Sequence, residues 1–334
     1  MGIKTNNCKM RKSISFHVKD KPAFREKLLH WCEQYSRCAL LDSGNHEKSS
    51  AELIVAAGSL DDIAPGQNYF EKIKTFHSTV NDWLFGYLSY DLKNEAENLS
   101  SNNFDGVHFP DACFFRPELV FKLSETQLQV EYVPAYTSEE RVKNVFEEIV
   151  NIAVEKFNAP VKMRLKERMP RTQYLEQVYK IKEHIQKGDI YELNYCIEFY
   201  AQHTVIDPAK VFLKLTEATR APFSAFFRSE DKYALCASPE RFLKKSKNKI
   251  TSQPIKGTAR RGKTRSEDEK IKREFSVSEK DRIENVMIVD LVRNDLSKTC
   301  TNVSVEELFG VYAFHQWHHM ISTCLLYTSP SPRD

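Results

Sequence analysis

The chain has 334 residues, with 49 Lys and Arg against 46 Asp and Glu and a formal net charge of +3. That length allows one large core or two, and that balance excludes a protein held to nucleic acid by bulk positive charge. Eight scattered cysteines without a C-x-x-C spacing read as reduced thiols of a cytosolic protein.

The N-terminus, MGIKTNNCKMRKS, lacks an apolar signal core, and Asn6 stands where N-myristoylation needs Ser or Thr. No apolar run reaches the roughly 18 residues of a membrane span. Residues 24–37 read as an amphipathic helix, CALLDSG as a strand and turn, and 51–60 as a strand. WLFGYLSYDLKNE (83–95) reads as a strand ending in a polar loop, and ENLSSNNFDGVHFP as a surface loop. CFFRPELVFKL and TQLQVEYV, split by a short polar turn, read as a hairpin. Residues 138–157 form an amphipathic helix with Ser138 as N-cap, and EKFNAPVKMRLKERMP then links to the second half.

That half opens with a helix over 172–187, capped by Thr172 and closed by Gly188. GDIYELNYCIEFYAQH reads as one long strand, and further strands run through RAPFSAFF, YALCASPE and ITSQPIK. From Ser278 to Leu296 there is neither Gly nor Pro, so a helix is expected with Ser278 as N-cap. Its apolar residues surround the axis, which marks a buried helix. Buried charges on it need partners: Asp290 or Asp295 can pair with Arg293. Glu284 has only Lys280 at i−4 and is the better metal-ligand candidate. In PIKGT, Pro254 biases Gln253 toward extended geometry, and Gly257 permits close backbone approach to a ligand. Lys256 between them is either a surface lysine or, if desolvated, a nucleophile. Thirteen Lys and Arg from Arg241 to Arg273 suit an anionic small substrate, or form a solvated charged surface.

SPERFL (238–243), PIKGT (254–258) and KDRIENVMIVDLVRNDL (280–296), in that order, resemble the chorismate-utilising enzyme family. PIKGT resembles its aminodeoxychorismate synthase branch, component I, whose anthranilate-forming relatives typically carry Ala where Lys256 stands. The resemblance implies an α+β fold of two large stacked antiparallel sheets with helices outside. It implies an N-terminal region over 1–160, a chorismate-binding region over 161–323 and a tail over 324–334. The implied reaction is amination of chorismate at C4 for folate synthesis, with ammonia from a separate glutamine amidotransferase subunit. The implied roles are Mg²⁺ on Glu284, general acid and base at Glu240, covalent attack by Lys256, and assistance by His319. Gly257 and Thr258 would bind substrate. Ser43, Pro222, Phe223 and Ser224 would line a pocket for tryptophan, or else be ordinary core. Gly188, Asp189, Tyr191 and Asn194 match a family block, and no lysine follows over Glu192–Phe199, which argues against the isochorismate-forming branch.

The family pattern extends past the His319 block into a glycine-rich segment and a second carboxylate-bearing helix, and resemblance stops after Thr323. The expectation is therefore a truncated chain with an incomplete site, an exposed sheet edge and little catalysis; ten glycines in all, against the roughly 7% usual, agree with that. Anthranilate synthase component I and an inactive remnant are the alternatives. A last competitor is GTARRGKT (257–264), which matches a phosphate-binding loop. The strand before it is too polar and the helix after it too charged for a nucleotide triphosphatase. His315 and His318 near His319 lack the spacing of a metal site.

Overall fold

The computed structural model describes residues 10–44, 52–63, 66–97, 99–154, 163–298 and 301–327. The N-terminal nine residues, most of the linker after 154 and residues 328–334 lie outside the described residues. In chain order the elements begin with β1 (Lys12–His17), α1 (Lys21–Cys32), β2 (Arg37–Asp42), β3 (Leu53–Asp62), α2 (Tyr69–Val80), β4 (Phe85–Leu88) and α3 (Lys93–Ala96). There follow β5 (Ala112–Ser124), β6 (Gln127–Tyr132), α4 (Glu139–Asn151), β7 (Lys166–Glu167), α5 (Arg171–Lys187) and β8 (Phe199–Tyr200). The last stretch holds α6 (Pro208–Thr219), β9 (Phe223–Ser229), β10 (Lys232–Ser238), β11 (Arg241–Ser246), β12 (Lys249–Gln253) and β13 (Ile255–Arg260). It ends with α7 (Arg265–Ser276), α8 (Glu279–Ser297), β14 (Thr301–Ala313) and β15 (Trp317–Tyr327).

The fold is α+β with two large antiparallel sheets. An eight-stranded sheet runs β1-β6-β5-β3-β2-β9-β10, with β4 also on β5, and a five-stranded sheet runs β11-β12-β15-β13, with β14 on β15. By packing, the chain divides into one unit of Met1–Val154 with Pro208–Asp334 and a second of Glu155–Asp207. The return of the chain to the first unit at Pro208 leaves no signature in composition.

Alternation builds the larger sheet. On β2, Cys38 and Leu40 face a core shared with Phe24, Leu28 and Trp31 of α1 and Val142, Val145 and Ile149 of α4. Ala39 between them faces the opposite cluster, with Phe85, Phe115 and Phe227, as the two-residue period requires. Ser138 caps α4 through the Arg141 N–H at 3.1 Å. α1 starts earlier than its pattern suggests, because Asp20 accepts the Ala23 N–H at 3.1 Å and sets the first turn. It ends at Cys32, where the chain turns into β2. Residues 83–95 hold only a four-residue strand, then a 3-10 turn over Tyr90–Leu92 and α3.

A buried ion cluster ties the N-terminal segment to this sheet. Asp82, 6% exposed at its side chain, pairs with Arg11 at 2.7 Å and Arg116 at 2.8 Å, and both arginine side chains are 7% exposed. Burial alone would raise the Asp82 carboxyl. The hydrogen bonds from Arg11 and Arg116 more than offset it and hold its pKa below the ordinary value.

The second unit, by itself, is a β7–β8 ladder of two residue pairs and the helix α5. Arg168 pairs with Glu198 at 2.7 Å and lies over the Tyr200 ring at 3.9 Å, and Tyr174 stacks on Tyr195 at 5.3 Å. Gly188 closes α5 in the left-handed region at φ 80°, as its sequence position requires. Two expectations need correction here. The N-cap is Pro170 rather than Thr172, which lies inside the first turn. The long strand through 188–203 is reduced to Phe199–Tyr200, because β7 offers a partner for only two residues and a strand exists through its ladder.

Candidate active site around β13, β15 and α8

β15 is the centre of the smaller sheet. β14 lies along one edge, and β12 and β13 share the other, meeting at Pro254. Pro254 has no N–H to give the ladder, and its carbonyl instead accepts the Ser322 N–H at 3.3 Å. At this break the Ile255 N–H donates to Glu240 Oε1 at 3.0 Å. The Glu240 carboxylate therefore sits beside the residue that precedes Lys256, whose side chain is partly buried. Thr258 faces His319 across the β13–β15 ladder, and the Thr258 hydroxyl and His319 Nδ1 are 3.1 Å apart. His319 is 8% exposed. Burial pushes its pKa down, and the neighbouring His318 adds to the effect, so the ring is neutral at physiological pH. Lys256 and Thr258 thus lie on β13, with His319 bonded to Thr258 from β15 and the Glu240 carboxylate, from the β10–β11 connection, bonded to the Ile255 N–H of β13.

Gly257 has φ +88°, and a Cβ there would lie 3.0 Å from Asp281 of α8. The close approach that this glycine permits is made by the helix, not by open space for a ligand. Ser278 caps α8 as its position suggests, with the Asp281 N–H 3.4 Å from its hydroxyl, and that hydroxyl also lies 2.5 Å from Asp281 Oδ2. Glu284 follows one turn later, half-exposed, 3.8 Å from Lys280.

α8 is not buried all round, which corrects the expectation from its composition. Only Asn285 and Val289 are fully buried, while Ile283, Val286 and Leu291 are 53%, 43% and 53% exposed. The helix meets the smaller sheet along one face. Val277, Arg282, Ile283, Val286, Met287 and Phe309 line an open groove of about 410 Å³ along it. The charges are accordingly solvated and paired locally, Asp290 with Arg293 at 3.4 Å and Asp295 with Lys298 at 3.0 Å.

Asn285 went unnoticed in the sequence because it reads as one more polar helix residue. It is fully buried; its amide donates to the Met320 carbonyl at 3.3 Å, and its oxygen accepts the Ser322 hydroxyl at 2.5 Å. It anchors α8 to β15. Asn285→Ala removes the buried hydrogen bonds to the Met320 carbonyl and from the Ser322 hydroxyl and is expected to cost about 1–3 kcal/mol, read as a lowered urea midpoint with an unchanged slope.

Ser43 and the Phe223 block also meet. Asp42 on β2 pairs with Ser224 on β9, and a Cβ on Gly44 would lie 3.0 Å from the Ala221 carbonyl. Pro222 is buried beside them, and Arg241 lies over the Phe223 ring at 4.7 Å. The Ser43 and Ser224 hydroxyls already donate to the Glu52 and Ala221 carbonyls, at 3.1 and 3.2 Å.

The phosphate-loop pattern is filled from within. The Gly262 N–H donates to Asp268 Oδ1 at 2.7 Å and the Lys263 N–H to Glu267 Oε2 at 2.8 Å. The amides that would cradle an anion are held by carboxylates from the first turns of α7, and β13 belongs to an antiparallel sheet. Hydrogen bonds from Arg261 and the Gly262 N–H hold the Asp268 carboxyl far below the usual carboxylate range.

A profile of the family described as chorismate binding enzyme matches residues 36–324. The chain belongs to this family. Within it, the chain is 43% identical over 157 residues to aminodeoxychorismate synthase component 1 of Escherichia coli (strain K12), which covers 46% of this chain and 34% of that protein. It is 31% identical over 245 residues to an anthranilate synthase component I-like protein of Synechocystis, covering 72% of this chain and 50% of that protein. It is 33% identical over 277 residues to the chloroplastic aminodeoxychorismate synthase of Arabidopsis thaliana, covering 75% and 30%. The aligned regions thus span half or less of these relatives. Anthranilate synthase component I from Streptococcus pneumoniae shares the fold with a TM-score of 0.71 at 20% identity, over 83% of this chain and 69% of that one. The menaquinone-specific isochorismate synthase of Escherichia coli does so at 0.65 and 12% identity, over 96% and 71%.

Proposed function

We propose that the chain carries the aminating half-site of an aminodeoxychorismate synthase, replacing the C4 hydroxyl of chorismate by an amino group in folate synthesis. The observation that carries this reading is the placement of Glu240 at the Ile255 N–H, one residue from Lys256, with Thr258 of the same strand β13 bonded across the ladder to His319 of β15. The ε-amine of Lys256 attacks C2 through its nitrogen lone pair. The ring double bond shifts, and the C4 oxygen leaves as water with a proton from Glu240. Ammonia then attacks C4 and expels Lys256 from C2, with Glu240 taking the proton from the incoming nitrogen. Splitting one displacement into two lets a tethered amine do the difficult step. Neutral His319 orients the substrate or assists at the departing ring substituent, and Gly257 and Thr258 form the backbone beside it.

The fit of Mg²⁺ rests on Glu284. Mg²⁺ commonly takes one or two protein carboxylates and fills its shell with substrate oxygens and water, and a half-exposed carboxylate one turn from Asp281 meets that requirement. When bound there it would offset the charge of the substrate's ring carboxylate. Ammonia would come from a glutamine amidotransferase subunit, and Ser43, Pro222, Phe223 and Ser224 either receive tryptophan or serve as ordinary core. The cysteines among the described residues are free, which suits a cytoplasmic enzyme.

Chorismate supplied with Mg²⁺ but without ammonia is expected to leave a mass increment on the peptide containing Lys256, absent in Lys256→Ala. With ammonium added, the product is expected to be 4-amino-4-deoxychorismate, formed at the low rate that an incomplete site allows. Turnover without any adduct overturns the nucleophile, and anthranilate as product moves the protein to the other branch.

A further inference from the structure

Asp268 is the most heavily hydrogen-bonded side chain beside the candidate site, and nothing in the amination scheme uses it. Its Oδ1 accepts from Arg261 Nε at 2.9 Å, from the Gly262 N–H at 2.7 Å and from His318 Nε2 at 2.9 Å; its Oδ2 accepts from Arg261 Nη2 at 2.6 Å. Two arms lead from it toward His319. In the first, Arg261 also donates Nη1 to the Phe314 carbonyl at 2.6 Å. The Phe314 ring meets the His319 ring edge-on, 4.9 Å between centroids and 73° between planes. In the second, His318 adjoins His319 on β15, its side chain 1% exposed. An ionised carboxylate only accepts, so His318 Nε2 carries a hydrogen, while its buried Nδ1 has no hydrogen-bond partner among the described residues. The Thr258 hydroxyl contacts His319 Nδ1 from a third side.

We propose that Asp268 is a positioning residue for His319: it clamps Arg261, and so the Phe314 wall, on one side, and the buried His318 on the other. The apparent phosphate loop has its turn, its glycine and its helix start because Asp268 must reach back under β13, not because an anion binds there. Gly262 is needed for this. A Cβ on it would lie 2.2 Å from the Asp268 backbone nitrogen. That His319 works on substrate rests on the function proposed above; that Asp268 orders its ring does not.

The test uses the chain with ¹⁵N-labelled histidine and long-range proton–nitrogen correlation at neutral pH. In the wild type, His318 is expected to carry a proton on Nε2 and His319 to give one sharp set of ring signals. Asp268→Asn, similar in shape but uncharged, is expected to shift or split the His319 signals. His318→Gln, whose amide can still donate to Asp268, is expected to leave them single. Arg261→Lys, which removes the Phe314 arm and leaves the His318 arm, supplies the same reading if Asp268→Asn does not fold. Given ammonia-dependent turnover, a folded Asp268→Asn is expected to lose roughly 10- to 100-fold in kcat with KM little changed, since misplacing one group by about 1 Å can cost about 100-fold. His319 signals unchanged in the folded variant, or His318 found protonated at Nδ1 alone, overturn the proposal. Absence of any amination by the wild type bears on the proposed function and leaves the ring signals to decide this one.

Discussion

Glu240→Gln is expected to lower chorismate amination by about 10²- to 10⁴-fold, the contribution of one well-placed acid–base group. The substitution isolates the proton. The amide oxygen of glutamine can accept the Ile255 N–H as Glu240 Oε1 does at 3.0 Å, so the junction of β12 and β13 at Pro254 is preserved. What disappears is the ability to give a proton to the departing C4 oxygen and take one from the incoming nitrogen. The loss should fall mainly on kcat, with chorismate affinity by titration changed little. If Glu240 protonates the departing C4 oxygen as proposed, the Lys256 adduct should also fail to accumulate in this variant. An adduct formed at the wild-type rate in Glu240→Gln would take the acid role away from Glu240.

The second large effect is on stability. Asp82→Asn is expected to cost about 3–5 kcal/mol, because two guanidinium groups are left in the interior with a neutral partner. Arg11 and Arg116 each meet the carboxylate through Nε; without it, Arg11 keeps the Pro117, Glu118 and Glu131 carbonyls and, among the described residues, Arg116 keeps the half-exposed Asp61 at 3.3 Å. The pH dependence follows from the sign of the shift. The folded-state pKa of Asp82 lies below its unfolded value near 3.9. Its contribution is therefore complete above that value and is lost as pH falls through the folded pKa. The gap in unfolding free energy between wild type and Asp82→Asn should be flat from pH 7 to 5 and shrink below about pH 4. A gap independent of pH down to acid unfolding would show that shape, not charge, makes the difference.

Local signals in the sequence were dependable where a single residue has a local partner. Ser138 and Ser278 cap their helices because a hydroxyl followed by a helix former needs nothing beyond its own turn. Gly188 closes α5 for the same kind of reason, and the β5–β6 hairpin is adjacent in sequence. The order of the SPERFL, PIKGT and KDRIEN blocks was enough to indicate the family that the profile match then established.

The tertiary structure decided what depends on a distant partner. The strand through 188–203 has its pattern but only two residues of ladder, because pairing is a property of two segments. The all-round apolar character of α8 describes what the helix could bury, whereas the smaller sheet offers one face. Asn285, Asp268 and His318 are unremarkable by spacing. Their roles arise because β15 brings Met320, Ser322 and His318 against helices whose contacting residues lie about 35 to 50 positions away. The sequence by itself determined the starts of α4 and α8, the hairpin and the family. Only the folded chain set Glu240 against Ile255 and Thr258 against His319, since hydrogen bonds over 15 and 61 residues are set by sheet register and strand connections, not by local periodicity.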